Sequence, residues 1–302
     1  MSEFFSDLKT ILGPGVLKRV IRQVVENDYV PLAGQLAYFF VLFLFPFHML
    51  VVALVGTIVN NPEPALNALA ERTQGILPQE VVGVLANYAD RTLRSQSPVT
   101  LFFAALITFM VGSAAAEAIA KAANRSYGVQ ETRPFWKRRV ISFLLIAGFT
   151  LLFAVLVFYV FSPQAGNYLW RLLGLPAISS GLWRILSWTL AFLIVTFAID
   201  ILYYVAPNAD LPFKWITPGG LSATILLLVG SEVTRFWATN IFRSYQLYGQ
   251  LGAAIVLLIW LFIVGLMVLI GLEINAVLIQ MAEERKGVDL VRGEDRADDA
   301  HS

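Results

Sequence analysis

The sequence predicts an all-α integral membrane protein: a bundle of six transmembrane helices with amphipathic interfacial helices and both termini in the cytoplasm. Three observations carry this. Of the 302 residues, 58% are hydrophobic and only 14% charged, against about 45–50% apolar and about 25% charged in an ordinary soluble domain. Six stretches reach the length of about 20 mostly apolar residues that a helix needs to cross a hydrocarbon core about 30 Å thick. The basic residues divide unevenly among the loops between those stretches, as they do across a biological membrane.

The first span covers residues 32–59 without a formal charge, and Pro46 inside it is expected to bend the helix. It starts about thirty residues in and is too long for a secretory signal, so it is expected to stay as an anchor. The second covers 99–116, the third 140–161 and the fourth 185–204; the fifth begins near Ile216 and the sixth covers 251–279. Taking alternate loops together places 15 of the 22 Lys and Arg on the side of the termini and 7 on the other. The termini are therefore expected in the cytoplasm.

The segments outside the spans carry their own patterns. Residues 1–30 form a cytoplasmic N-terminal segment in which Val16, Val20, Ile21, Val24 and Val25 share one helical face opposite Lys18, Arg19 and Arg22. That is the pattern of a basic helix lying on the inner leaflet. The transmembrane domain is placed at 31–280, with an outer loop over 60–98 and a basic inner loop over 117–139. In the outer loop Val81, Val82, Leu85, Ala86, Ala89 and Leu93 recur at helical spacing after Pro78. Residues 281–302, polar and mixed in charge, are expected to be a disordered cytoplasmic tail.

Several function classes fall away on composition. A net charge of +1 lacks the basic excess of a nucleic-acid binder. With no cysteine and only His48 and His301, neither thiolate metal sites nor a histidine-built metal centre is expected, and no cofactor is. No recognisable nucleophile, base and oxyanion arrangement stands out, and an enzyme is not expected.

Ionisable groups at membrane depth are functional candidates, because each costs several kcal/mol unless paired or hydrated. Glu232 and Arg235 in the fifth span are three residues apart, share a helical face and can pair. Arg243 lies beyond them on the outer side. Asp200, Glu273 and Asn275 sit near the inner ends of spans four and six, and Glu117 follows span two with Lys121 one turn on. Gln35 and Tyr38 share a face of span one; Tyr245 and Tyr248 complete the polar candidates for a substrate pathway. The run Arg133-Pro134-Phe135-Trp136-Lys137-Arg138-Arg139 joins cations to interfacial aromatics. Arg133, Trp136, Lys137, Arg138 and Arg139 are its candidates for anionic head groups or interfacial anchoring. Gly112, Ala116 and Ala120 form a small-residue stripe of the kind that lets helices approach closely.

These residues resemble the YihY/virulence-factor-BrkB family of bacterial inner-membrane proteins, once labelled ribonuclease BN. The resemblance covers residues 10–280. It rests on Asp28 through Leu32-Ala33-Gly34-Gln35-Leu36-Ala37-Tyr38 to Phe45-Pro46, then on Asn124, Tyr127-Gly128-Val129, Glu131 and Arg133 to Lys137. Leu202-Tyr203-Tyr204, Pro207, Pro218-Gly219, Ser244-Tyr245, Tyr248-Gly249, Trp260, Gly271, Glu273 and Asn275 complete it. Phe43 stands where relatives often carry a small or hydroxyl residue. The resemblance implies a six-helix inner-membrane protein, some of whose relatives are suspected of moving lipids or lipid-like glycoconjugates. The ribonuclease label finds no clustered histidines and acids to support it.

Taken together, the expected function is that of an inner-membrane transporter or flippase-like protein for an amphiphilic, anionic envelope lipid. The alternative is a non-transporting scaffold that recruits an envelope partner through the outer loop. Membrane lipids are the expected partners, nucleic acid is not, and a homo-oligomer or an envelope protein partner is compatible with the sequence.

Overall fold

The computed structural model describes residues 14–58, 82–83, 85–87, 89, 98–155, 180–211, 215–240, 249–286, 288–289 and 294–295. These form seven long helices: α1 (Pro14–Glu26), α2 (Tyr29–Ile58), α3 (Pro98–Tyr127), α4 (Phe135–Val155), α5 (Ser180–Val205), α6 (Pro218–Asn240) and α7 (Gly249–Lys286). Five of them, α2, α3, α5, α6 and α7, are long and apolar enough to cross a membrane. The apolar run of α4 continues in the sequence past Val155, outside the described residues. The last helix carries on past residue 280 to Lys286, and Val288–Asp289 pairs antiparallel with Glu294–Asp295. Part of the tail expected to be disordered is therefore ordered.

Helix α7 is the centre of the bundle. It packs along α6 and α2 and also meets α1 and α3, while α4 leans on α3 and α2. Leu269, Leu272, Ala276 and Val277 of α7 are fully buried, joined by Tyr29, Ala33 and Leu36 of α2 and Ala122 and Ala123 of α3. Between helices surrounded by lipid, close van der Waals contact and a few polar bonds do the work that water exclusion does elsewhere. The Thr196 and Thr224 hydroxyls meet at 3.0 Å between α5 and α6. A β-carbon on Gly112 would lie 2.8 Å from Ile146 and 2.9 Å from Phe43, so this glycine is the notch that admits the bulky Phe43. Helix α2 runs through Pro46 without a break.

Helix ends explain two of the sequence blocks. Gly128, with φ 67°, terminates α3: its N–H bonds to Arg125 O at 3.2 Å, and Val129 N–H bonds to Asn124 O at 2.9 Å. This paired pattern closes a helix on a left-handed residue, a conformation that glycine adopts without steric penalty. At α6, Thr217 caps the first turn: its hydroxyl accepts from Gly220 N–H at 3.1 Å, and Pro218 has no N–H to satisfy.

Helix α1 departs from the expected arrangement. Val16 and Val20 turn inward onto Ile274 and Val277 of α7, but Ile21 and Val25 face outward with Leu17. The apolar surface is thus split between protein and surroundings. Arg19, expected on the solvent face, reaches α7, where its guanidinium donates to both Glu284 oxygens at 3.0 and 2.8 Å. Such a half-exposed pair contributes about 1 kcal/mol or less. Arg19→Ala is expected to raise amide exchange across Pro14–Glu26 while leaving the global melting temperature near that of the wild type. Unchanged exchange would show that the valines alone dock α1.

The outer loop falls mostly outside the described residues. Those described are helical, with Val82 and Ala89 buried and Leu85 packed beside Leu257 and Leu261, while Ala86 of the same expected face is exposed.

Candidate functional site: the polar end of the bundle

The ends of α3, α5 and α7 and the starts of α2, α4 and α6 converge with α1 at one end of the molecule. The described polar networks gather there, in three layers linked through α7 and α3.

The first layer fixes α6 to its neighbours. Asp200 of α5, 3% exposed, accepts from the Thr217 N–H at 3.0 Å and from the Thr217 hydroxyl. Asn275 of α7 donates to the Thr217 hydroxyl at 2.8 Å and accepts from Gly219 N–H at 2.7 Å. Donors left open at a helix start are thereby met by side chains from two other helices, and the carboxylate of Asp200 sits at the positive end of the α6 dipole. Asp200 and Asn275, expected as pathway candidates, have capping roles here. The backbones are correspondingly close: a β-carbon on Gly219 would lie 2.3 Å from Gly271 O, and one on Gly220 2.0 Å from an Asp200 oxygen.

The second layer is a clasp over the loop between α3 and α4. Glu131 accepts from Arg133 Nε and Nη2, each at 2.8 Å, and from Asn124 Nδ2 at 2.9 Å. The same Arg133 guanidinium donates to the final carbonyls of α5, Val205 O at 3.2 Å and Ala206 O at 2.8 Å. The Arg133 hydrogen bonds hold the Glu131 carboxyl down at about 2. Arg133, expected as a head-group candidate, is therefore committed internally, with 12% of its side chain exposed. Asn208 N–H donates to Asn124 Oδ1 at 2.6 Å and locks the loop after α5 to the end of α3.

The third layer is an open groove of about 90 Å³ between α3, α4 and the end of α5. Its floor is Ala116 and Ala120, its apolar wall Ile141 and Leu145. Of the small-residue stripe, Gly112 sits in a tight helix seam, and Ala116 and Ala120 line this groove. Lys121, Arg138 and Arg139 stand along it, facing one carboxylate beyond the clasp, Glu117. Glu117 lies 3.3 Å from Arg138 and 3.8 Å from Lys121, so the expected i,i+4 pair forms and gains a partner from α4. Arg139 donates to the Ser113 hydroxyl, and both arginines lie over the Phe135 ring, at 6.0 and 5.3 Å. Trp136 is 67% exposed beside them, and Lys137 is exposed too. In their described parts, helices α4 and α5 touch only sparsely beside this groove.

Glu273 lies apart from these layers. It is fully buried in α7 and accepts from Ser126 at 2.8 Å, from the Tyr29 hydroxyl and, at 3.4 Å, from Asn27 Nδ2. Among the described residues no cation pairs with it.

The other expected pathway residues are dispersed. Glu232 and Arg235 pair on α6, but on its exposed face, half and two-fifths exposed. Gln35 and Tyr38 lie on the exposed face of α2, away from the networks. Arg243, Tyr245 and Tyr248 lie outside the described residues. The sequence reading did not single out Tyr29, Ser126, Thr217 or the clasp role of Glu131. A threonine directly before Pro-Gly-Gly is a readable cap signal; Tyr29 and Ser126 carry none.

A helical membrane protein with a cationic open groove and a buried carboxyl that pairs with no cation among the described residues is the class these features define. The chain belongs to the Virulence factor BrkB family, whose model matches residues 20–293. It is 28% identical over 264 residues to the putative ribonuclease-like protein YfkH of Bacillus subtilis, covering 87% of this chain and 94% of that one. A UPF0761 membrane protein of Psychromonas ingrahamii is 25% identical over 273 residues, 88% of this chain and 87% of its own. Another, from Vibrio vulnificus, is 33% identical over 123 residues, 40% of this chain and 39% of its own. No solved structure matches.

Proposed function

We propose that the protein is a transporter or flippase-like protein of the bacterial inner membrane, with six spans and cytoplasmic termini, that handles an anionic amphiphilic lipid and performs no covalent chemistry. The observation that carries this reading is the groove between α3, α4 and α5. It combines an apolar floor and wall with Lys121, Arg138 and Arg139 at the basic end of the bundle. An anionic lipid has that pattern of apolar and charged parts. Its head group would compete with Glu117 for Arg138, while its chains would lie against Ile141 and Leu145 at the side where α4 and α5 part. The exposed Trp136 and Phe135 support placement of this end at the interface, where amphipathic aromatics gather. The excess of basic residues on the side of the termini supports the cytoplasmic assignment.

The test is lipid movement in proteoliposomes containing a fluorescent anionic lipid. A cation near an anionic surface contributes about 1 kcal/mol, so losing two weakens head-group association by about 2 kcal/mol, roughly thirtyfold. Arg138→Ala/Arg139→Ala is expected to slow movement of the anionic probe by that order and to spare a zwitterionic one. Equal slowing of both probes would remove head-group recognition from the groove. Glu232 and Arg235, being exposed, are expected to leave the rate unchanged when replaced together by alanine.

A further inference from the structure

We propose that Glu273 is a reversible proton-binding site that ties the protonation state of the protein to the packing of α2, α3 and α7; its coupling to lipid movement rests on the reading above. An ionised carboxylate cannot remain in a low-dielectric interior without compensation, so such a group is paired, neutralised or functional. Pairing is absent among the described residues, and one carboxyl oxygen, Oε1, is buried with no hydrogen-bond partner. Capping, which explains Asp200 and Asn275, does not apply here either, because Glu273 lies inside α7 and touches no helix end of α6.

The surroundings can accommodate both protonation states by turning hydroxyl hydrogens alone. With Glu273 ionised, Oε2 accepts from the Tyr29 hydroxyl and from Ser126 Oγ at 2.8 Å. With a proton on Oε2, the carboxyl donates to the Tyr29 oxygen. The Tyr29 hydrogen then turns to Ser126 Oγ, and the Ser126 hydrogen turns to Ala122 O, 3.0 Å away. One proton is added, no bond between heavy atoms changes, and every hydroxyl keeps an acceptor. The three oxygens belong to three helices, so the direction of these bonds is shared among α2, α3 and α7.

The site lies next to the turn between α1 and α2. Asn27 Nδ2 is 3.4 Å from Glu273 Oε2, and its carbonyl accepts from the exposed Arg125 at 2.8 Å. The titratable groups facing the site are Tyr29 from α2 and Tyr127 from α3; Tyr203 of α5 lies next to these two tyrosines and to Asp200. From α1, Arg19 is held further along α7 by Glu284, and α6 carries no ionisable residue before Glu232. Among the described residues, therefore, no fixed cation faces the carboxyl.

Infrared difference spectra of the full chain in nanodiscs, between acidic and alkaline buffer, test this directly. The expected result is a protonated-carboxyl band that appears in acid and is lost in alkali, absent in Glu273→Gln, shifted in Tyr29→Phe and retained in Asp200→Asn. A Glu273 band that persists at every pH, or none in either buffer, overturns the proposal. So does a band that responds to sodium at fixed pH. Should Glu273→Gln not fold, the shift in Tyr29→Phe and in Ser126→Ala decides the assignment. In proteoliposomes the lipid rate of the wild type is expected to change severalfold with pH and that of Glu273→Gln not at all. If no variant and no wild type moves lipid, the transport reading fails while the spectra still decide the proton site.

Discussion

Gly219→Ala is expected to prevent the bundle from assembling, with a loss of about 3 kcal/mol or more. Overpacking a well-filled interior costs about 1–3 kcal/mol when side chains can give way. Here the new methyl would meet the carbonyl oxygen of Gly271 at 2.3 Å and the Asn275 side chain at 2.5 Å. Backbone cannot rotate aside, so α6 must separate from α7. Separation breaks the Asn275–Gly219 bond and exposes the open donors of the α6 start. Gly271→Ala meets the same crossing from the other side, where its methyl would lie 2.6 Å from Ala223 and from the Tyr203 hydroxyl. Gly148→Ala is the control: nothing lies within 4 Å of its β-carbon. Alanine there gains up to about 1 kcal/mol of helix propensity. Thermal unfolding in detergent, with size-exclusion profiles, checks the set. Gly219→Ala that melts with the wild type would show that the crossing is looser than described.

The second large effect is expected at Arg133. Hydrogen bonds to charged groups contribute about 1.5–3 kcal/mol each, and Arg133 makes them to Glu131 and to two carbonyls at the end of α5. Arg133→Ala is expected to lower stability by about 3 kcal/mol. Arg133→Lys recovers little, because an ammonium cannot fork between a carboxylate and two carbonyls. The pH dependence has a definite sign. Glu131 is held below its usual value of 4.5, at about 2, so it binds a proton less readily in the folded protein. Its contribution is therefore complete above the unfolded value and is lost as the pH falls from about 4.5 through about 2. Arg133→Ala should be less stable at neutral pH and should lose less on acidification, which unfolding midpoints across that range would show. A parallel acid loss in wild type and variant would place the acid-sensitive group elsewhere.

Five of the six expected spans were legible because hydropathy over about 20 residues depends on no partner. Two helix ends carry local signals that the hydropathy of the spans passes over: the Tyr127-Gly128-Val129 block marks a helix end and Thr217-Pro218 a helix start, since caps are made by neighbours in sequence. The i,i+4 pair of Glu117 and Lys121 was readable for the same reason. Long-range pairings were not. Glu273 bonds to Tyr29 and Ser126 across 244 and 147 residues, and nothing near either partner announces it. Arg133 illustrates the opposite failure: in a run of four charges and two aromatics it reads as one more surface cation, yet the chain folds it back onto α5. The face of α1 misled because a valine-rich stripe fits protein and lipid equally well, and α7 took only half of it.

The central claim is that the groove between α3, α4 and α5 receives an anionic amphiphile. A photoactivatable anionic lipid, cross-linked to the protein in nanodiscs and mapped by mass spectrometry, tests it most directly. Labelling is expected to concentrate on residues 116–121 and 135–145, to fall with Arg138→Ala/Arg139→Ala and to be outcompeted by unlabelled anionic lipid. Labelling spread evenly over the exposed faces of α5 and α6, and indifferent to that substitution, would contradict it.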